Sequence, residues 1–496
     1  MPYRTASELL AALRARKVTS VDLVEATIAR IESLDEKLNA VVVRDFNRAR
    51  KAAKAADTAR ARGDDRPLLG IPLTVKEAFN IKGLTTTWGV PGTQDIPVTE
   101  DAVLVARLKA AGAVILGKTN VPVMLMDWQT SNPVYGTTNN PWDINRTPGG
   151  SSGGSAAALA AGFVPLEFGS DMAGSLRIPA SFCGVFTHRP SHGLVPMRGF
   201  APPGTPAQSV AVSVNLAVVG PIARSAEDLM LALGVIAGPD DAEAVAYRLH
   251  LPPPRHRSLR KFRVLALDED RSAPTDAQVR KAHVELYRNL EAAGCSVARQ
   301  NSLLPDLRSS ARNFIELLMA FSGADMPEEE YAKAVAAAKK LSPETDDIES
   351  VGKRALVMSH RNWIHADRRR FELAHRWRQV FAKWDVVLCP AAPCTAFVHD
   401  QRPMDQRTVT VDGHPMPYNL LPMWAAGPTP TGQPVTVMPI GRDSAGLPIG
   451  MQIIGPYLED CTSIAFAGHV EKAFGGFVAP PDYEASAKAG RPAPNP

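Results

Sequence analysis

The chain has 496 residues, 45% of them hydrophobic and 21% charged, and a formal net charge of +4. That length and composition suit a large buried core, and so small a charge for the size gives no case for a nucleic-acid or anionic-membrane partner. The five cysteines, Cys183, Cys295, Cys389, Cys394 and Cys461, are odd in number and form no C-x-x-C pair, which argues against a disulfide framework and for a reducing compartment. Cys389 and Cys394 bracket a proline-containing turn without two further ligands, so structural thiols are expected there and no metal. Residues 1–5 carry no apolar signal core, and no apolar run is long enough to span a bilayer. The expectation is a cytoplasmic protein.

Residues 5–50 read as mainly helical. Thr5 and Glu8 have capping-box spacing before Leu9, Leu10 and Leu13, and Thr19 and Asp22 repeat it before Val24, Ile28, Ile31 and Leu34. Residues 51–62 predict an exposed helix. The apolar run 69–75 predicts a buried strand with Lys76 at its end. A helix over 102–111, a strand over 113–117, a helix over 155–161 and a strand over 163–168 follow. Ser225 and Asp228 start a further helix through Leu233. Strands are expected over 261–267, 296–298, 384–388, 434–440 and 446–454, and helices over 276–292 and 462–474. Residues 309–380 read as long and helical, an insertion suited to covering a pocket. This alternation predicts an α/β fold, a large mixed twisted sheet covered by helices. Residues 251–260 have linker composition, yet strand-like segments resume after them, so 1–480 is read as one domain with a helical insertion over about 305–380. The tail, 481–496, is expected to be disordered.

Two glycine-serine stretches carry the chemistry: Gly149-Gly150-Ser151-Ser152-Gly153-Gly154-Ser155 and Gly169-Ser170-Asp171-Met172-Ala173-Gly174-Ser175-Leu176-Arg177. A serine nucleophile needs a base, and its oxyanion needs donors. Residues 150–154 match G-x-S-x-G, but the preceding residues 145–148 read as a turn and not as the strand such an elbow requires. A lysine serves as base when desolvation lowers its pKa, and Lys76 after an apolar run fits that role. Glycine-rich backbone lets successive N–H groups converge on an anion. Taken singly, the first stretch reads equally well as a flexible linker, and Lys76 reads better as a surface lysine beside Glu77.

Residues 149–180 resemble the signature of the amidase signature family. The resemblance extends to Thr119-Asn120-Val121-Pro122, Asn139-Asn140-Pro141-Trp142, Phe182-Cys183-Gly184-Val185, Gly220-Pro221-Ile222-Ala223-Arg224-Ser225 and Gly446-Leu447-Pro448-Ile449-Gly450. It implies the amidase signature fold, with Lys76 as base, Ser151 as relay serine in a cis peptide, and Ser175 as nucleophile. It also implies an oxyanion loop of Met172, Ala173 and Gly174, and no cofactor. The resemblance also implies that Leu125, Met126 and Asp127, by their matching positions in the family, line the acyl pocket. Ordinary core for Met126 and a helix cap for Asp127 stay open as the plainer reading. Ser152 and Ser170 are expected to support the site, Ser152 and Ser155 by hydrogen bonding or capping, and Asp171 and Arg177 to fix the loop. Three positions depart from the family pattern: Ala173 for a commoner glycine, Val123 for a frequent glutamate, and Glu167 for a small residue. Glu167 is expected to pair with a cation or to face outward.

The implied function is hydrolysis of an amide C–N bond in a small molecule, with an apolar aryl or aliphatic amide, anilide or carbamate as substrate and a monomer or homodimer as the working form. Two alternatives stand beside it: a glutaminase-type subunit of a tRNA-dependent amidotransferase, and a non-catalytic binding protein on the same scaffold.

Overall fold

The computed structural model describes residues 2–205 and 214–489. Its centre is an eight-stranded mixed sheet in the order Ser296–Ala298, Arg263–Ala266, Val386–Pro390, Pro448–Ile454, Val435–Arg442, Phe186–Arg189, Val218–Ala223, Leu166–Asp171. The first three strands are parallel and the remaining pairs antiparallel. A second sheet has Val114–Thr119 between Val41–Arg44, antiparallel, and Pro72–Lys76, parallel. Pro72–Lys76 packs against Leu166–Asp171, so the edges of the two sheets meet. Both edge strands are buried throughout, as expected of strands covered on each face. Their ends carry Lys76 and Asp171 to the same place. The fold is α/β, as expected.

The helix starts follow the capping chemistry. Thr5 and Glu8 form a reciprocal capping box, and so do Thr19 and Asp22. Ser225 accepts from the Asp228 N–H at the head of Ala226–Ile236. Three strands of these two sheets escaped the sequence reading. Val41–Arg44 interrupts the stretch read as helical, its three β-branched valines favouring a strand. Phe186–Arg189 ends in polar residues that are nonetheless buried. Val218–Ala223 contains Gly220 and Pro221, which read as breakers. The strand expected over 163–168 starts at Leu166 and runs on to Asp171, directly into the second glycine loop.

Residues 309–380 fold into helical segments, with Leu307–Gly323, Glu328–Ala338, Ile348–Ala355 and His360–Lys383 in succession. The expected tail begins as a helix, Pro481–Ala489, because Tyr483 finds a buried place edge-on to Phe163; residues 490–496 lie outside the described part. Among the described residues no helix is long and apolar enough to cross a membrane.

Candidate active site

Lys76 is fully buried at the end of its strand. Its Nζ meets three hydroxyls: Ser151 Oγ at 2.7 Å, Ser170 Oγ at 2.9 Å and Ser152 Oγ at 3.0 Å. Burial, opposed only by the charge of Asp171, holds the lysine well below its ordinary range. A neutral amine in contact with a serine hydroxyl is the arrangement a proton acceptor needs. The Gly150–Ser151 peptide is cis. A Cβ at position 150 would lie 2.4 Å from the Gln129 carbonyl oxygen, so only glycine fits against that wall. Ser152 does not cap the helix Gly153–Ala160. Its hydroxyl bridges Lys76 to the Ser170 backbone, accepting from the N–H at 3.3 Å and donating to the carbonyl at 3.2 Å. Ser155 lies 2.7 Å from the Thr119 hydroxyl.

The second glycine stretch wraps around one carboxylate. Asp171 accepts from the N–H of Gly174 at 3.0 Å and of Leu176 at 3.1 Å, and takes a two-pronged contact from Arg177, Nε at 2.9 Å and Nη2 at 2.8 Å. Burial works against ionisation of Asp171, but Arg177, with Arg189 3.7 Å away, outweighs it and holds the carboxyl well below the usual range. Arg177 also reaches the Ala425 carbonyl, Gln452 and Thr429, tying the loop to a distant part of the chain. One expectation is corrected here. The Gly174 N–H is occupied by Asp171 and is not free to receive an oxyanion. The N–H groups of Met172, Ala173 and Ser175 make no hydrogen bond within the described residues, so the loop leaves these donors free, those of Ala173 and Ser175 on either side of the occupied Gly174. Ser175 is 7% exposed, and its carbonyl accepts from the Ser152 N–H at 3.2 Å. That bond fixes the two glycine stretches side by side. The Ser151 and Ser175 hydroxyls are not hydrogen-bonded to one another.

Residues 123–128 are a partly exposed segment joined to the loop of Ser175 through Trp128, the place of an expected mouth. Met124 and Leu125 both adopt positive φ, 53° and 61°, which turns the chain sharply there. Leu125 is half-buried, and Met126 is 60% exposed and so no part of the core. Asp127 is not a helix cap. Its carboxylate accepts from Arg407 Nη1 at 2.6 Å and from the Tyr418 hydroxyl at 2.6 Å. Trp128 donates its indole N–H to the Ala173 carbonyl at 2.9 Å, and its ring lies 5.4 Å from that of Tyr418. Arg407, Tyr418 and Trp128 were missed from the sequence. Arg407 and Tyr418 flank the hairpin Thr408–Val411/His414–Pro417, turned by Asp412 and Gly413, both at positive φ. Alternation ending in Asp-Gly is a hairpin signal that could have found it. On the other side, Met172 and Ala173 pack on an apolar cluster that includes Phe314, Leu317, Met423 and Trp424.

A deeply buried lysine on three serines, beside a loop offering unoccupied N–H groups, is an acyl-transfer geometry, and likeness to known proteins decides its family. Residues 22–464 match the family model described as Amidase. The chain belongs to the amidase signature family. The amidase is 33% identical to a glutamyl-tRNA(Gln) amidotransferase subunit of Anaeromyxobacter dehalogenans, over 95% of this chain and 96% of that one. It is 32% identical to fatty-acid amide hydrolase 2-A of Danio rerio, over 96% and 90% respectively. A chain from the solved structure of a vestigial protein complex, bearing on the origins of an s-triazine catabolic enzyme, superposes with a TM-score of 0.79. It is 30% identical, covering 96% of this chain and all of that one. The amidase is therefore an enzyme that hydrolyses amide C–N bonds.

Proposed function

We propose that this amidase cleaves an apolar aryl or aliphatic amide, anilide or carbamate through an acyl-enzyme on Ser175. The observation that carries the reading is the contact of the buried Lys76 Nζ with Ser151 Oγ. Neutral Lys76 takes the Ser151 proton, and Ser151 takes that of Ser175 as the Ser175 side chain rotates toward it. Ser175 Oγ attacks the carbonyl carbon. The oxyanion receives the N–H groups of Ala173 and Ser175. The proton returns through Ser151 to the leaving nitrogen, and the C–N bond breaks. Water then adds to the acyl ester, giving its proton back along the same path, and the acid departs with Ser175 restored.

What supports an apolar substrate is the setting of the loop: the partly buried Met172 and Ala173 rest on an apolar cluster whose buried members include Phe314, Leu317, Met423 and Trp424. A panel of amides, anilides, esters and carbamates of rising acyl length tests this. The expected result is kcat/KM that climbs with apolar size, and covalent mass on Ser175 after acid quench. Equal turnover of a short polar amide would overturn the apolar reading.

The likeness to a protein named as part of an amidotransferase favours a second reading, in which a partner protein completes the activity. Turnover of simple amides by the isolated chain separates the two. A chain that is inert alone and hydrolyses glutamine only with a partner would favour the amidotransferase role.

A further inference from the structure

Glu167 lies one layer behind the lysine and takes no part in the proposed reaction. It neither pairs with a cation nor faces outward, contrary to both expectations. Its side chain is fully buried. The Thr74 hydroxyl donates to one carboxyl oxygen and the Phe168 N–H donates to the other at 2.9 Å; the Thr119 and Ser155 hydroxyls, paired with each other at 2.7 Å, also act on the carboxyl. Two of these partners are tied to the base. Thr74 lies two residues before Lys76 on the same strand, about 7 Å along it. Ser155 is close to one helical turn, about 5.4 Å of rise, from Ser152, which touches the lysine.

The other charged groups near this layer are already compensated. On the packed strand Pro72–Lys76 the titratable group is Lys76 itself, and Glu77 just beyond sits with Lys118, whose ammonium binds Thr85 and Thr86. Helix Gly153–Ala160 and strand Val218–Ala223 contain no titratable side chain. Arg224, past that strand, binds the Leu159 and Val164 carbonyls, and Asp171 on Glu167's own strand binds Arg177. An anion at Glu167 would thus be uncompensated, with Lys76 the group that gaining a proton would neutralise it. Burial pushes the Glu167 carboxyl up to about 7, against the donors around it.

We propose that Glu167 is a positioning residue for the base: it holds a proton in the working enzyme, and when it gives that proton up, the buried anion draws Lys76 into its charged, idle form. The two groups share one surplus proton, and the competent arrangement is neutral acid with neutral amine. This rests on Lys76 being the base.

The test is the pH profile of kcat/KM for wild type, Glu167→Gln, Thr74→Val and Lys76→Ala. Glutamine keeps the neutral form permanently, so the limb on which activity rises with pH should move to lower pH by about half a unit or more, with the plateau kcat little changed. Thr74→Val removes a donor to the anion without changing shape and should move the limb the same way by less; it also serves if Glu167→Gln does not fold. An unmoved limb in a natively melting variant, with Lys76→Ala inactive, overturns the role of Glu167 alone. A Lys76→Ala enzyme with the wild-type profile overturns the base, and this inference with it. A buried neutral carboxyl band in the infrared near neutral pH, lost in Glu167→Gln, supports the protonated state; its absence from wild type overturns it.

Discussion

The layer around Lys76 and the mouth around Asp127 are built on opposite principles. In the layer, the polar atoms are buried and cross-linked. One lysine meets three serines, one aspartate holds two loop N–H groups and an arginine, and that arginine reaches three further acceptors. In the mouth, Met126 and Val123 are exposed, and Asp127 is fixed by two side chains from far along the sequence. Buried polar groups left without partners cost the full desolvation of the group, whereas water replaces a partner at a half-exposed site. The reaction should therefore be brittle to substitution, and substrate choice tolerant of it.

The largest effect tests the brittle half. Ser175→Ala should lower kcat by at least about 10^4-fold, and Lys76→Ala by several orders of magnitude, in protein that still folds. The activity of the wild type should rise with pH: Lys76, the proposed base, with its pKa lowered by burial, can accept a proton only when neutral, so activity is lost as pH falls through its folded value. Steady-state kinetics across pH on wild type and both variants checks this.

Next comes the arginine. Arg177→Met leaves Asp171 buried with Arg189 at 3.7 Å as its remaining cation. Removing one partner of a buried pair costs about 3–5 kcal/mol, read as a lower urea midpoint. The sign with pH is fixed. The folded pKa of Asp171 is depressed, so its contribution to stability is present above the unfolded value of about 3.9 and is lost as pH falls toward the folded one. In Arg177→Met the depression shrinks, so less stability should be lost on acidification and the gap between variant and wild type should narrow as pH falls through that window.

The brittle half was also the legible half. Ser151, Ser170, Ser175, Asp171 and Arg177 lie within two short glycine-rich stretches and Lys76 ends an apolar run; singly these read as a linker and a surface lysine, and it was the resemblance to the amidase signature, carried by those same contiguous stretches, that assigned them. Burial of a carboxylate without a cation leaves no such trace, and Glu167 was read as paired or outward. The occupation of the Gly174 N–H depends on where Asp171 turns, which no pattern of residue types encodes. The mouth is written in pieces: Trp128, Arg407 and Tyr418 meet only because the hairpin folds back over residues 123–128. Of these pieces only the Asp412–Gly413 turn had a local signal. For the fold, the longer helices and most strands followed periodicity and caps, whereas the short buried helix Arg177–Cys183 went unread and the strand Val218–Ala223 hid behind Gly220 and Pro221.

Trp128 belongs to both regions. Its indole holds the Ala173 carbonyl while its ring packs against that of Tyr418. Trp128→Phe keeps a ring and deletes the donor, so the loop that presents the Ala173 N–H loses one hydrogen bond, worth about 1 kcal/mol. The expected outcome is a several-fold fall in kcat with KM little changed.

Tyr418→Phe should have the smallest effect, and it probes the division most directly. The hydroxyl donates to Asp127 Oδ1 at 2.6 Å, but Arg407 holds Oδ2 at 2.6 Å and the Gln129 N–H lies 3.2 Å from Oδ1. The Asp127 side chain is 19% exposed, so water can take the vacated place, and the net cost is about 0.5–1.5 kcal/mol at most. The carboxylate then loses a rigid support and keeps its charge partner. KM for bulky substrates should change a few-fold, kcat should not, and the melting temperature should barely move. If kcat fell as far as in Trp128→Phe, the mouth would be transmitting to the nucleophile loop through the shared Trp128 ring, and substrate choice could not be altered there without touching the chemistry.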